Sequence, residues 1–288
     1  MAAQQSFVPG RVGIVGLGLI GGSFAKAFHA GGREVYAWNR THATLELAMI
    51  ETVDGELDET TIGSCELIVL ASYPAASIAW LEEHADDIAD GAIVIDTMGV
   101  KRLVCSACEG IAQGRGWNFV GCHPMAGTQF SGYAHSRGTM FEGAPLVVVP
   151  PEMDDFERAE LLERLKQLLA PCGFGSFTLS TADEHDEVIA FTSQLAHVVS
   201  NAYVKSPVAQ QHHGFSAGSY KDLTRVARLN SQMWCELFLD NADYLSREIG
   251  IIVDNLQQYK DAIDARDAER LEQLLADGDR IKREIEDQ

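Results

Sequence analysis

The sequence predicts an α/β protein in two parts: a doubly wound parallel sheet with helices on both faces over residues 1–180, then an all-helical part over 181–288. Three observations predict it. Short β-rich runs alternate with helical patterns through the first part. A glycine fingerprint sits at the first strand-to-helix junction. After Ser180 only helical periodicity remains. The 288 residues suffice for two domains with buried cores, and the 46% that are apolar are spread along the chain, which excludes a disordered block.

Taken in order, the strands are read from "RVGIVG", "EVYAW", "ELIVLAS", "AIVIDT", "WNFVGC", "PLVVVP" and "GSFTLS". Short apolar runs set between helices fit parallel strands covered on both faces. The helical part is read from "TADEHDEVIAFTSQLAHVVSNAYV", "SYKDLTRVARL", "SQMWCELFLDNADYLSREIGIIVDNLQQYKDAI" and "ARDAERLEQLLADGDRIKREIE", the last as a solvated helix. No internal repeat or low-complexity tract interrupts either part.

Charge and composition narrow the function. Lys plus Arg number 22 against 42 Asp plus Glu, a net charge of −20 that repels phosphate backbones and anionic lipid, so neither nucleic acid nor membrane is expected as a partner. No run approaches the roughly 18 apolar residues of a membrane span. "MAAQQSFVPG" lacks both the charged and the apolar portion of a secretory leader, so a cytoplasmic protein is expected. Six cysteines at irregular spacing fall mostly in apolar segments, as buried thiols of a reducing compartment do. Cys105 and Cys108 form a lone CxxC, which reads as packing, and no metal site is expected.

"VGIVGLGLIGGSFAKAF" carries the chemistry of a dinucleotide site of the Rossmann type. Gly16 makes the tight turn after the strand, Gly18 lets the backbone approach a pyrophosphate, and Gly21 allows close helix packing. The helix N-terminus faces the anion. Leu19 and Ile20, which open that helix, and Ser72, which follows "ELIVLA", are counted with the glycines as cofactor-binding. A site for NAD usually places Asp or Glu at the end of the second strand. This chain has Asn39, Arg40 and Thr41 there, and a guanidinium with neighbouring polar groups suits a 2′-phosphate, so NADP is favoured over NAD. Thr41 also reads as the cap of the next helix.

At the other end of the chemistry stands "FVGCHPMAGT". His123 falls at the carboxyl end of a strand, where ligands bind in such sheets, and Pro124 biases it towards an extended backbone. A neutral imidazole there is a suitable base for a hydroxyl proton, which removal of hydride from an alcohol carbon requires. In the helical part, Gln194, His197 and Asn201 recur at i, i+3 and i+7 as one polar stripe among apolar neighbours. Such a stripe either forms an internal network or lines a cavity. "GSYKDLTRVAR" places Lys221, Arg225 and Arg228 on one helix face, a candidate carboxylate site in an acidic chain; Lys221 and Arg228 read as ordinary surface residues. Asp222 reads as a cap of that helix.

The combination "GLGLIGGS", "HPMAGT..SG", "TSQLAHVVSNAY" and "FSAGSYKDLTRVA", with Trp234 nine residues after Arg225, resembles the prephenate dehydrogenase family of tyrosine biosynthesis from about residue 11 to 265. The resemblance implies oxidative decarboxylation of prephenate to 4-hydroxyphenylpyruvate, with hydride passing to NAD(P)+, in a homodimer built through the helical domain. On this likeness His123 matches the catalytic histidine, His197 a second active-site histidine, and Arg225 the arginine that binds a substrate carboxylate. Thr128, Gln129, Gln194 and Trp234 fall among the substrate-binding positions. Two departures stand out. Many members carry a serine in a "D..S.K" segment where this chain reads "DTMGVK", so a hydroxyl that helps orient the histidine is missing at Gly99, and Thr97 or a water is its expected substitute. Gln129 stands where some relatives carry an acid; a neutral side chain suits the keto acid prephenate better than the ammonium of arogenate. Neither a fused chorismate mutase before the first strand nor a regulatory domain after the helices is expected.

Two other readings compete. Hydroxyacid or imine reductases share the glycine fingerprint, but the strand-end His-Pro argues against them. A nucleotide-sensing Rossmann protein would not need His123 at all.

Overall fold

The computed structural model describes residues 6–287 apart from 129, 212, 213 and 216. Its first part is an eight-stranded sheet: β1 (Val8–Val15), β2 (Val35–Trp38), β3 (Gly55–Glu56), β4 (Cys65–Leu70), β5 (Ile93–Asp96), β6 (Asn118–Pro124), β7 (Pro145–Val149) and β8 (Ser176–Leu179). The order is β3-β2-β1-β4-β5-β6-β7-β8, with the chain reversing its direction of travel across the sheet between β1 and β4. The α/β fold class stands, and α1 (Leu19–Ala30), α2 (His42–Glu51), α3 (Pro74–His84), α4 (Arg102–Ala112) and α5 (Asp155–Leu168) supply its helices.

Alternation along the strands explains both layers. Ile14, Leu67, Val69, Ile93, Ile95, Val120 and Cys122 point into one core with Phe24 and Phe28 of α1 and Leu161 and Leu165 of α5. Their sequence neighbours Val15, Ile68, Leu70, Val94 and Phe119 point the other way, against Trp80 and Leu81 of α3 and Val104 of α4. A strand buried on both faces has no polar side to show, which is why these runs read as continuously apolar. Cys105 and Cys108 lie in the second core, unpaired, their thiols pushed up by burial, that of Cys108 to about 12.

One strand was not expected, and the all-parallel expectation needs correction at another. β3 is a two-residue edge strand beside β2, too short to leave an apolar run in the sequence. β7 runs antiparallel to β6, with His123 opposite Val147, while β8 is parallel to β7. A parallel return needs a crossover helix. Between β6 and β7 the described chain has only a three-residue 3₁₀ turn at Tyr133–His135, so β7 comes back beside its predecessor.

The helical part opens on α6 (Ala182–Ile189), started by a capping box in which Thr181 and Glu184 bond each other's backbone. A π-helical turn over Ala190–Leu195 joins it to α7 (Ala196–Tyr203). There follow α8 (Gly218–Thr224), α9 (Ser231–Asp240), α10 (Ala242–Ala265) and α11 (Ala268–Glu286). The long helix read from "SQMWCELFLDNADYL" is broken at Asn241, whose buried amide bonds other segments instead. α8 also ends earlier than its periodicity suggests. Arg225 is its C-cap and Arg228 lies beyond it, so Lys221, Arg225 and Arg228 do not share a helix face. Asp222 sits inside α8; the N-cap position is Ala217.

Candidate active site

The glycine fingerprint does three different physical jobs. Gly16 has φ +98, a left-handed value that disfavours any side chain, and a Cβ there would meet Ala71 O and Ser72 N at 3.0 Å. At Gly21 a Cβ would fall 1.9 Å from the carbonyl oxygen of Gly16, so only glycine lets α1 pack this close to the turn. At Gly18 a Cβ meets nothing within 4 Å. That open backbone caps α1, whose first turn, from Leu19 and Ile20, carries no acidic side chain. The loop thus offers N–H donors and bare space where an anion would sit, and the residues fit a dinucleotide pyrophosphate.

Neighbouring strand ends complete this crevice. Trp38 and Leu70 both stand level with Val15, at the switch point of the sheet. Asn39 ties the loop together, accepting from Leu17 N at 2.9 Å and donating to Thr41 O at 2.9 Å. Its amide is therefore occupied by the fold. Thr41 takes the N-cap position of α2 without a side-chain cap bond, and Arg40 is exposed with no ion pair to a described residue. Ser72 bonds Ser77 Oγ at 2.6 Å beside the Gly16 turn.

His123 stands further along the same edge. Asp96 ends β5 opposite Leu70 and Ile95 pairs with Val120, so β6 runs on past the parallel row and is held there by β7. The buried Asp96 carboxylate accepts from Cys122 N and Met98 N, each at 2.9 Å, and from the ammonium of the buried Lys101. These bonds fix the backbone immediately before His123. Thr97 does not reach its ring: the hydroxyl donates to Leu70 O.

The partner of His123 comes from the helical part. Its Nδ1 lies 2.8 Å from Nε2 of His185, and His185 Nδ1 lies 2.7 Å from Oδ1 of Asp186. Asp186 also accepts from the backbone N–H of Lys101 at 2.7 Å and of Arg102 at 2.9 Å, the start of α4. Burial alone would raise the Asp186 carboxyl, but the bonds from His185, Arg102 and Lys101 outweigh it and hold the acid below its usual range. Burial also lowers His185, and it lowers His123 well below 6.5, with the His185 ring and the Lys101 ammonium adding to the effect. Both rings are neutral at physiological pH.

Around α9 the other side chains gather. Gln194 donates to Leu237 O at 3.0 Å and accepts from Asn241 at 2.9 Å, and Asn241 also donates to Asp186 O at 2.8 Å. His197 stacks on Trp234 with ring centroids 3.9 Å apart, and its Nδ1 donates to Ser193 O at 2.9 Å. Burial lowers His197, and the nearby Arg225 charge lowers it further. Arg225 makes no ion pair with a described residue. Asn201 donates to Ala227 O, so two members of the polar stripe are committed to internal bonds with neighbouring elements. The structure brings His197, Trp234 and the Arg225 charge together, and links Gln194 to the backbone of the His185–Asp186 pair. No contact joins His123 to His197. Thr128 accepts from Phe130 N in its own loop, and Gln129 lies outside the described residues.

Sequence reasoning missed His185, Asp186, Asn241 and the Asp96–Lys101 pair. "EHD" reads locally as a helix start, and nothing nearby shows that its partner is 62 residues upstream. The available signal was a histidine set among acids, Glu184 to Glu187, just before the apolar stretch that begins at Val188.

Residues 24–176 match the family model described as prephenate dehydrogenase, nucleotide-binding domain, and residues 181–277 match that described as prephenate dehydrogenase, dimerization domain. Prephenate dehydrogenase of Bacillus subtilis strain 168 is 28% identical over 273 residues, 90% of this chain and 71% of that protein. A crystal structure of prephenate dehydrogenase from A. aeolicus, in complex with hydroxyphenyl propionate and NAD+, is similar with a TM-score of 0.82 at 27% identity, covering 97% of this chain and 99% of that one. Synechocystis arogenate dehydrogenase is similar with a TM-score of 0.77 at 27% identity, covering 94% and 99%.

Proposed function

The chain belongs to the prephenate dehydrogenase family of nicotinamide-dependent oxidoreductases, and on that premise we propose that it converts prephenate to 4-hydroxyphenylpyruvate with NADP+ as the preferred acceptor. The observation that carries the reading is His123, a neutral imidazole whose Nδ1 is engaged by His185, at the same sheet edge as the dinucleotide loop. Its Nε2 accepts the proton of the ring hydroxyl while the carbon bearing that hydroxyl gives up hydride. The bound nicotinamide supplies the hydride acceptor. Loss of CO2 then sends its bonding pair into the ring, which becomes aromatic, and the shared proton returns to the phenolic oxygen.

The remaining roles follow from side-chain chemistry. Arg225 binds a substrate carboxylate, supported by its having no ion pair with a described residue in an acidic chain. His197 offers Nε2 to the substrate, since its Nδ1 is engaged, and Trp234 holds the ring in place by stacking. Thr128 and Gln129 complete the substrate side, while Gln194, buried and bonded at both ends of its amide, supports it from behind. Because the chain is similar both to a prephenate and to an arogenate dehydrogenase, the choice between substrates rests on the neutrality of Gln129. The preference for NADP rests on Arg40 and the free Thr41 hydroxyl, the groups that remain once Asn39 is engaged by the fold.

The same reading divides the chain at residue 180 into a dinucleotide-binding part and a helical part that binds substrate and dimerises. Val253, Leu256 and Ile263 of α10 are 55–59% exposed, and Leu275, Ile281 and Ile285 of α11 are 47–60% exposed, apolar surface that suits a second copy. No helix of the described residues is long and apolar enough to cross a membrane, and five of the six free thiols are buried, which supports work in the cytoplasm. Steady-state assays with prephenate and with arogenate, each with NADP+ and NAD+, test the proposal. The highest kcat/KM is expected for prephenate with NADP+; a higher value for arogenate would overturn the inference from Gln129, and a higher value with NAD+ that from Arg40.

A further inference from the structure

A histidine that must act as a base at one nitrogen needs its proton kept on the other. In this chain the neighbouring glycine supplies no hydroxyl for that purpose: a Cβ at Gly99 would lie 4.0 Å from Cε1 of His123, and Thr97 is bonded to the backbone. The group that does touch Nδ1 is His185. We propose that His185 and Asp186 form a positioning dyad for His123, fixing its proton on Nδ1 and leaving Nε2 as the basic nitrogen.

The order of protons follows from the far end. Asp186 accepts from two backbone N–H groups at the start of α4, where the helix dipole favours negative charge. An ionised carboxylate can only accept, so the proton in the 2.7 Å contact sits on His185 Nδ1. Neutral His185 therefore presents a lone pair at Nε2, and the proton in the 2.8 Å contact sits on His123 Nδ1. When His123 takes up a substrate proton, its Nδ1–H bond to His185 strengthens and the Asp186 charge partly offsets the new positive charge. The other charged groups facing this cluster are Lys101 and Asp96, paired with each other, and Arg102, whose Nε lies 3.4 Å from Asp186 Oδ2 while its Nη atoms hold Asp243, so Asp186 is the acid that faces His185 and shares its charge with Arg102.

This inference rests on the reading of His123 as the base, and its test separates the two. Nitrogen-detected NMR of histidine-labelled protein reports each tautomer without substrate. His123 and His185 are both expected with the proton on Nδ1; a proton on Nε2 of His123 would overturn the dyad, whatever the enzyme turns over. In kinetics, His185→Leu is expected to lower kcat about 100-fold with the Kd for NADP+ unchanged. His185→Gln, whose amide oxygen still accepts from His123, is expected to recover most of that loss. Its acid limb should lie at lower pH, because the Asp186 charge no longer reaches the ring. Equal losses in the two variants, or turnover by His185→Leu within about threefold of the parent, would contradict the proposal. If His185→Leu fails to fold, the tautomers and the glutamine variant's pH profile decide. Failure of the parent to oxidise prephenate would count against the assigned reaction and leave the tautomer result standing.

Discussion

A methyl group added at Gly18 meets nothing, whereas one added at Gly21 lands 1.9 Å from Gly16 O. The two positions therefore separate binding from folding. Gly18→Ala is expected to stay within about 0.5 kcal/mol of the parent in denaturant unfolding while weakening dinucleotide binding. Gly21→Ala is expected to cost about 1–3 kcal/mol as the turn is pushed off the helix. Arg40→Glu, next to the occupied Asn39, should lower the ratio of kcat/KM for NADP+ over NAD+ by at least about tenfold. Because burial, the His185 ring and the Lys101 ammonium depress His123, its basic form persists below 6.5, and the acid limb of kcat/KM should fall under that value. At this scale the glycine roles were legible because each is local: a turn, an approach and a packing contact within six residues. The partner of His123 was not, since Thr97 or a water was the expected substitute for the hydroxyl missing at Gly99, and the actual partner arrives from α6.

Elements were legible where burial is two-sided and obscure where tertiary bonds override propensity. β1, β4 and β5 announce themselves as apolar runs, but the direction of β7 depends on a connection that lacks a crossover helix. That reversal matters to the site, because pairing with β7 carries β6 past the parallel row and holds His123 there. In the helical part, the π turn at 190–195 contains Gln194 and shifts the helical phase just before His197, a feature that 3.6-residue periodicity does not register. Asn241 breaks one predicted helix into two and is fully buried. It donates to Asp186 O and Gln194 and accepts from Arg102, so Asn241→Ala leaves several buried groups unpaired. A loss of about 1–3 kcal/mol in chemical denaturation is expected, and no loss would mean that this junction is not structural.

Across the whole molecule, the two parts are joined by charges as well as by apolar packing. Arg102 of α4 grips Asp243 of α10 through both guanidinium Nη atoms and reaches Asp186 through Nε. The bonds from Arg102 depress the Asp243 carboxyl from 3.8 to about 2. A depressed acid contributes stability above its ordinary value, and that contribution disappears as pH falls from 3.8 towards about 2. The stability gap between the parent and Arg102→Leu should therefore narrow over that window in unfolding titrations, leaving the part due to the bond from Arg102 to Asn241. On the outer side of the helical part, Leu256→Lys combined with Ile263→Lys is expected to convert the proposed dimer to monomer in sedimentation, since both residues are more than half exposed on one chain. The central claim is that His123 performs chemistry rather than binding, and one pair of measurements on His123→Ala tests it. Turnover of prephenate with NADP+ should fall at least about a thousandfold while the Kd for NADP+ stays at the parent value. Parent-like turnover, or a loss of dinucleotide binding in step with activity, would show that the imidazole at the end of β6 is not the base.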